Sequence, residues 1–160
     1  MLCLALVQPH FDYCCSAWHE GLSAKLKDRF DALQRKMLRF VFSMHPRSHV
    51  DQQHFRKIGW LTFRDRVRYF RLVHVHKIKN GLAPDYLTGA FTAVREVHKH
   101  FTRGSVSDFH ISSPCVSTLS QKSFGYIAKK EWNSLPQEIK QIRSVTTFKA
   151  HLRHHLFNRY

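Results

Sequence analysis

Histidine and cysteine side chains are the metal-binding groups of this sequence, and four of them lie close together near its start. His10, Cys14, Cys15 and His19 form this cluster, and further histidines crowd the last 10 residues. Adjacent cysteines chelate a single ion poorly, and the Cys-x2-Cys spacing of zinc sites does not occur. No thiol is singled out beside a base, as a nucleophilic cysteine would be. We therefore predict no metal site.

The acidic residues do not form a catalytic group. The sequence has 11 of them, and no two are adjacent. Chemistry on phosphodiesters needs clustered carboxylates that hold two Mg²⁺ ions. A P-loop, a glycine-rich dinucleotide turn and a Gly-x-Ser-x-Gly elbow are also missing from the sequence. We predict no catalytic residue, no cofactor and no enzymatic activity for this chain alone.

Basic residues are in large excess. There are 26 Lys and Arg against 11 Asp and Glu, which gives a formal net charge of +15. A globular chain with this balance attracts polyanions, and nucleic acid is the commonest of them. A basic surface that is merely solvated and a surface that binds an anionic membrane are the alternatives. The membrane is the weaker of the two, because no single amphipathic helix is expected to place the charge beside exposed apolar residues.

The helical period places seven of these cations on two faces where they could follow a phosphate backbone without reading sequence. The candidate nucleic-acid-binding residues are Lys25, Arg35, Lys36 and Arg39 on one helix and Arg64, Arg68 and Arg71 on another. For any one of them, a solvated outer face of a helix bundle is an equally good interpretation. Taken together, the excess charge favours RNA or DNA as a partner.

The first of these two helices has the clearest pattern in the chain. Ser23 is a suitable N-cap, and Pro46 limits the C-terminal end. Apolar residues recur at spacings of three and four, so we expect them to form the buried side of the helix. These residues are Leu26, Phe30, Leu33, Met37, Phe40, Val41 and Met44.

The second helix begins after Thr62 and ends at Asn80-Gly81. Thr62 suits the N-cap, and Asp65 lies in the first turn, where the helix dipole favours an acid. Apolar residues occupy more than one flank, so we expect this helix to be central. Pro84 is expected to open a further helix that continues to Val94.

A third helical pattern leads to a corner. Phe124, Ala128, Trp132 and Leu135 share one face, and Trp132 is expected to anchor the core there. Ser134 is expected to cap the next helix, with Pro136 in its first turn. Ser144 or Thr146 caps the last helix, whose apolar side contains Phe148.

These patterns predict an all-α fold, a compact bundle of about six or seven helices formed by residues 1–160 as a single domain. An irregular loop is expected over roughly 102–120, with one short strand near Phe109 and Ile111. No apolar run reaches the ~20 residues that span a bilayer, and the four cysteines do not suggest a disulfide framework. We expect an intracellular protein of the nucleus or cytoplasm, not secreted, with no membrane partner.

Several short motifs follow one another in a fixed order along nearly the whole chain. The first contains Pro9, Tyr13 and Trp18, and the second contains Gln34 followed by Arg35 and Lys36. Ile58-Gly59-Trp60-Leu61 precedes a third, Asn80-Gly81-Leu82-Ala83-Pro84. The last is Trp132-Asn133-Ser134-Leu135-Pro136, with Phe124 before it and Phe148 after it. This series resembles the C-terminal region of reverse transcriptases from non-LTR (LINE) retrotransposons, the jockey-like group in particular.

The resemblance implies a fragment of an RNA-directed DNA polymerase from a mobile element, taken from downstream of the palm and thumb. The polymerase and endonuclease domains are not part of it, so the activity of the family does not carry over. In an intact element this region would pack on the upstream polymerase domain and support RNA or DNA binding. A structural remnant, or a domesticated protein-interaction module without nucleic-acid binding, is the alternative.

Overall fold

Helices dominate the structure, a computed structural model that describes residues 3–97, 107–111 and 118–159. It is 69% helical, with six helical stretches of seven residues or longer when the turns that directly adjoin a helix, within 3–12 and 15–21, are counted with it. The predicted all-α bundle is confirmed. In the described residues no strand forms, and the strand expected near Phe109 is a single antiparallel bridge between Phe109 and Ala93.

Ten α-helices follow one another in the described residues. They are α1 (Gln8–Asp12), α2 (Cys15–Trp18), α3 (Ala24–Val41), α4 (Gln52–Lys57), α5 (Phe63–Lys79), α6 (Val94–Val97), α7 (Thr118–Gln121), α8 (Phe124–Asn133), α9 (Gln137–Lys140) and α10 (Val145–Phe157). A π-helical turn, Cys3–Val7, precedes α1, and 3-10 turns occupy His19–Gly21 and Asp85–Ala90.

Helix α5 is central, as its pattern predicted. It packs against α2, α3, α8 and α10. The Thr62 side chain accepts a hydrogen bond from the Asp65 amide and so caps the N-terminus. Gly81 follows the C-terminus with φ +67°, a left-handed conformation that a glycine adopts without a steric penalty.

The core consists of two apolar clusters, and α5 contributes to both. Its N-terminal residues Phe63 and Val67 pack in the first cluster with Phe11, Met37 and Leu38. Residues from the rest of α5 pack in the second cluster with residues of α8 and α10. The main members of this second cluster are Leu72, Val75, Ile78, Trp132, Leu135, Phe148, Leu152 and Leu156.

The prediction for the buried side of α3 was only partly right. Met37 is buried, but Leu26, Leu33 and Phe40 are 40%, 47% and 72% exposed. The buried side is instead centred on Gln34 and Leu38. The helix is rotated so that much of its apolar stripe faces solvent.

Gln34 is buried because its carboxamide binds the backbone of the segment that leads into α5. Its Nε2 donates to the Leu61 carbonyl at 2.9 Å, and its Oε1 accepts from the Phe63 amide at 2.7 Å. The Phe63 amide is one of the first N–H groups of α5, which have no partner inside the helix. One side chain of α3 therefore fixes where α5 begins.

The corner after α8 is held by Trp132 and Asn133. Trp132 is fully buried, stacks 5.9 Å from Phe148 and donates from Nε1 to the Ser107 carbonyl at 2.8 Å. Asn133 accepts from the Phe109 amide at 2.9 Å and donates to the Phe109 carbonyl at 2.8 Å. The predicted anchoring role of this corner is confirmed.

Two predicted boundaries near this corner and after Pro84 were wrong. Ser134 does not cap α9; it ends α8, and its hydroxyl donates to the Glu131 carbonyl. Pro136 is the N-cap of the single-turn α9 instead. The helix expected from Pro84 to Val94 is a 3-10 turn followed, after a break at Phe91, by α6.

The remaining motif residues are mostly structural. Trp18 donates to the Tyr13 carbonyl and packs 5.4 Å from Phe30, whereas the Tyr13 ring itself is exposed. Pro9 lies in the first turn of α1. Phe124 packs against the second cluster. Most of the loop predicted over 102–120 lies outside the described residues, and α7 begins within that range.

Candidate nucleic-acid interface

Three cations of α3 form a row on its solvent side, which we call the basic ridge: Lys25, Arg29 and Lys36. They are separated by four and seven residues, so they lie within about 40° of one another around an ideal helix. All three are exposed. In the part of the chain that the structure describes, none of them has an ion-pair or hydrogen-bond partner, so their charges are available to an external anion.

Arg35 and Arg39 lie on the neighbouring flank of α3. Arg35 is exposed, whereas Arg39 is half-buried and donates from Nε to the Ser48 carbonyl at 2.9 Å. Three of the four cations predicted on this helix, Lys25, Arg35 and Lys36, are exposed. The fourth, Arg39, stabilises the loop before α4. Arg29 was missed by sequence reasoning, although its four-residue spacing from Lys25 was a sufficient signal.

Arg64 does not belong to a free basic face. Its Nη2 lies 3.3 Å from Asp28 Oδ1 and 3.0 Å from Asp31 Oδ2, both on α3. Arg64 and Asp28 are exposed, so their pair contributes little to stability, whereas the Asp31 carboxylate is partly buried. Their effect on charge is larger, since Arg64 offsets one of the two negative charges of α3.

The predicted placement of Arg68 and Arg71 on the same exposed face is wrong. Arg71 is only 1% exposed and lies between Glu20 and Glu131, at 3.0 Å and 2.8 Å. Arg68 is half-buried and donates to the Ser134 hydroxyl at 2.9 Å. The physical reason is that α5 is central, and this flank faces α2 and α8 instead of solvent.

The ion-pair network around Arg71 perturbs two carboxyl groups in opposite directions. Burial raises the pKa of Glu131 to about 7, although Arg71 favours its charged form. Hydrogen bonds from His19, Lys27 and Arg71 hold the pKa of Glu20 well below its usual value against the effect of burial. This network joins α3, the 3-10 turn after α2, α5 and α8, and its Lys and Arg side chains are paired with carboxylates.

Internal ion pairs neutralise a larger share of the acidic side chains than of the basic ones. At least six of the 11 acidic residues form ion pairs with Lys or Arg, and these are Asp12, Glu20, Asp28, Asp31, Asp108 and Glu131. Asp51 contacts His54, which is charged only when it is protonated. The Lys and Arg residues in these pairs are Lys27, Arg64, Arg66, Arg71 and Lys140. These pairs use five of the 26 Lys and Arg residues, so they leave the excess of positive charge in place.

The histidine and cysteine cluster near the start does not converge. His10 and Cys14 are exposed, whereas Cys15 and His19 are buried. Burial raises the pKa of the Cys15 thiol to about 11, which keeps it protonated. No three His, Cys, Asp or Glu side chains within the described ranges are placed to share a metal ion.

Comparisons with protein-family models, curated proteins and solved structures gave no match to this chain. Among the helices that the structure describes, none has the length and apolar character needed to cross a membrane.

Proposed function

We propose that this chain is a non-catalytic helical domain that assists RNA or DNA binding, with the basic ridge of α3 as its main contact. The observation that carries the proposal is a row of three exposed cations with no acidic partner among the described residues. The assignment to the C-terminal region of a non-LTR reverse transcriptase, with an upstream polymerase domain as its partner, rests on the resemblance of the sequence motifs.

The dimensions of the basic ridge suit a phosphate backbone. Lys25 and Lys36 are 11 residues apart, which corresponds to about 16 Å along a helix. One strand of duplex DNA has a phosphate about every 3.4 Å along the axis, so the ridge spans about five of them. Contacts of this kind fix position and affinity and do not distinguish sequences.

The test is fluorescence anisotropy with labelled RNA and DNA oligonucleotides of one sequence, titrated at several salt concentrations. Each phosphate contact contributes about −0.9 to the slope of log K against log salt for duplex DNA. A variant with Lys25→Gln, Arg29→Gln and Lys36→Gln is therefore expected to lower the magnitude of the slope by up to about 2.7 and to weaken binding at low salt.

The matched control replaces three exposed lysines elsewhere, Lys122, Lys130 and Lys149, with Gln. It changes the net charge by the same amount and leaves the basic ridge intact. Equal weakening in the two triple variants would show that diffuse charge, not the ridge, binds the polymer. No binding by the folded wild-type protein at low salt would refute the proposal and favour the structural-remnant or protein-interaction alternative.

A further inference from the structure

Three of the four large apolar side chains that α3 exposes form a narrow line along the helix, which we call the apolar ridge: Leu26, Leu33 and Phe40. The fourth, Val41, is 40% exposed and ends the helix off this line. Residues seven apart drift by only about 20° around an α-helix, so the three side chains stay in one row about 21 Å long. Phe40 is 72% exposed, and Leu26 and Leu33 are 40% and 47% exposed. Single exposed apolar side chains are common on protein surfaces, but a row at heptad spacing on one helix suits contact with another helix.

The spacing of the apolar ridge is that of a helix–helix seam. Together with Phe30 and Met37, its residues alternate at spacings of four and three, the a/d pattern of coiled coils. Phe30 and Met37 pack in the first core cluster of the protein itself. The residues of the apolar ridge are the outward half of this seam, against which a second helix could pack its own apolar residues.

The charges beside the apolar ridge define the chemistry of that second helix. Arg29 and Lys36 each lie three residues after a ridge leucine, which makes them its neighbours on the helix surface. The two acids of α3, Asp28 and Asp31, are on another side and pair with Arg64. A partner helix therefore meets cations at the edge of the seam and must supply carboxylates.

We propose that the apolar ridge of α3 and the adjacent Arg29 and Lys36 form a docking site for an acidic amphipathic helix of another protein. A second copy of this chain fits poorly, because α3 packed on itself would bring unpaired cations together. The expectation that no helix would place cations beside exposed apolar residues was wrong for α3. An anionic membrane still fits less well, since a helix that lies in a membrane surface presents a broad apolar face, and the ridge is narrow.

The experiment uses a labelled peptide of three heptads with Leu at a and d and Glu at e and g. Its own charges oppose self-pairing, and its length matches the ridge. A second peptide with Lys in place of every Glu is the charge control. Binding to the full chain is measured by fluorescence anisotropy, and circular dichroism verifies that each variant is folded.

We expect the acidic peptide to bind and the Lys peptide not to bind. A Leu33→Ser and Phe40→Ser variant should bind about tenfold or more weakly, as expected for removal of central apolar anchors. The matched control Leu82→Ser and Tyr86→Ser removes two exposed apolar side chains of the loop after α5 and should bind within about twofold of the wild type.

Failure of the acidic peptide to bind the folded chain, or equal binding of the Lys peptide, would overturn the proposal, and so would four more specific outcomes. The first is acidic-peptide binding that does not depend on Leu33 and Phe40. The second is a dimer, measured by light scattering, that the Leu33→Ser and Phe40→Ser variant loses. The third is Phe40-dependent binding to vesicles of phosphatidylserine and phosphatidylcholine without peptide binding. The fourth is RNA binding that needs Phe40 while no peptide binds. The role of Lys25, Arg29 and Lys36 in nucleic-acid binding is tested separately and can fail or hold on its own.

Discussion

Replacement of Gln34 tests whether α3 fixes the start of α5. Gln34→Met keeps the length and much of the volume of the side chain and removes both of its hydrogen bonds. The Leu61 carbonyl and the Phe63 amide are then left without the partners that they have in the wild type. Since Gln34 is 5% exposed, water does not easily replace the carboxamide.

The magnitude follows from the cost of an unsatisfied buried polar group. Leaving either backbone group without its hydrogen bond destabilises the folded state by about 1–3 kcal/mol. The more favourable burial of the thioether offsets part of this cost. We expect Gln34→Met to lower the free energy of unfolding by about 2–4 kcal/mol. Gln34→Glu keeps the acceptor for Phe63 but turns an oxygen toward the Leu61 carbonyl, so it should also be destabilising.

The assay is urea unfolding followed by tryptophan fluorescence, with the slope m compared among variants to verify that the unfolding transition is unchanged. Arg35→Met is the control, because Arg35 is the next residue on the same helix and is exposed; it should shift stability by no more than about 0.5 kcal/mol. If Gln34→Met is as stable as Arg35→Met, the two hydrogen bonds do not fix α5.

Three further predictions concern other buried groups. Asn133→Ala removes both hydrogen bonds to Phe109 and should cost about 1–3 kcal/mol in the same assay, whereas a neutral result would show that Phe109 is held by Trp132 packing alone. The pKa of Glu131 is raised in the folded state to about 7, so the folded protein binds a proton that the unfolded chain releases at lower pH. The stability of the wild type relative to Glu131→Gln, measured by urea unfolding, should therefore fall as pH rises from 5 to 8, by roughly 1 kcal/mol per pH unit below pH 7. A stability difference that does not vary with pH would contradict this. Cys14 should be alkylated by iodoacetamide at pH 8 long before Cys15, because Cys15 is buried and has a raised pKa. Mass spectrometry of the peptides measures both rates, and equal rates would show that the packing around Cys15 is loose.

Local signals in the sequence were sufficient for the helices and several of their ends. Ser23 and Thr62 were predicted as N-caps and Ser144 as one of two alternatives with Thr146, and each of the three accepts a hydrogen bond from the first turn of its helix. Such caps depend on residues within three positions, so one stretch of sequence contains the whole interaction. Trp132 was predictable for a similar reason, since a large indole on a helical apolar face is rarely left in solvent.

The errors occurred where burial depends on distant residues. The apolar period of α3 indicated a stripe but not its rotation, which is set by Gln34 binding to a segment 27 to 29 residues away. Arg71 has the spacing of a surface cation, yet Glu20 and Glu131 enclose it from elements 51 and 60 positions distant. A buried arginine requires such partners, and no local pattern reveals them.

The division of α5 between two apolar clusters has a consequence for how the protein opens. A domain with two separate cores often has two units that unfold independently. Here one continuous helix passes from Phe63 in the first cluster to Ile78 in the second, so separating the clusters would break that helix in its middle. Amide protons between Val67 and Val75 should therefore exchange with solvent only through global unfolding, while α1, α6 and α7 exchange through smaller local openings.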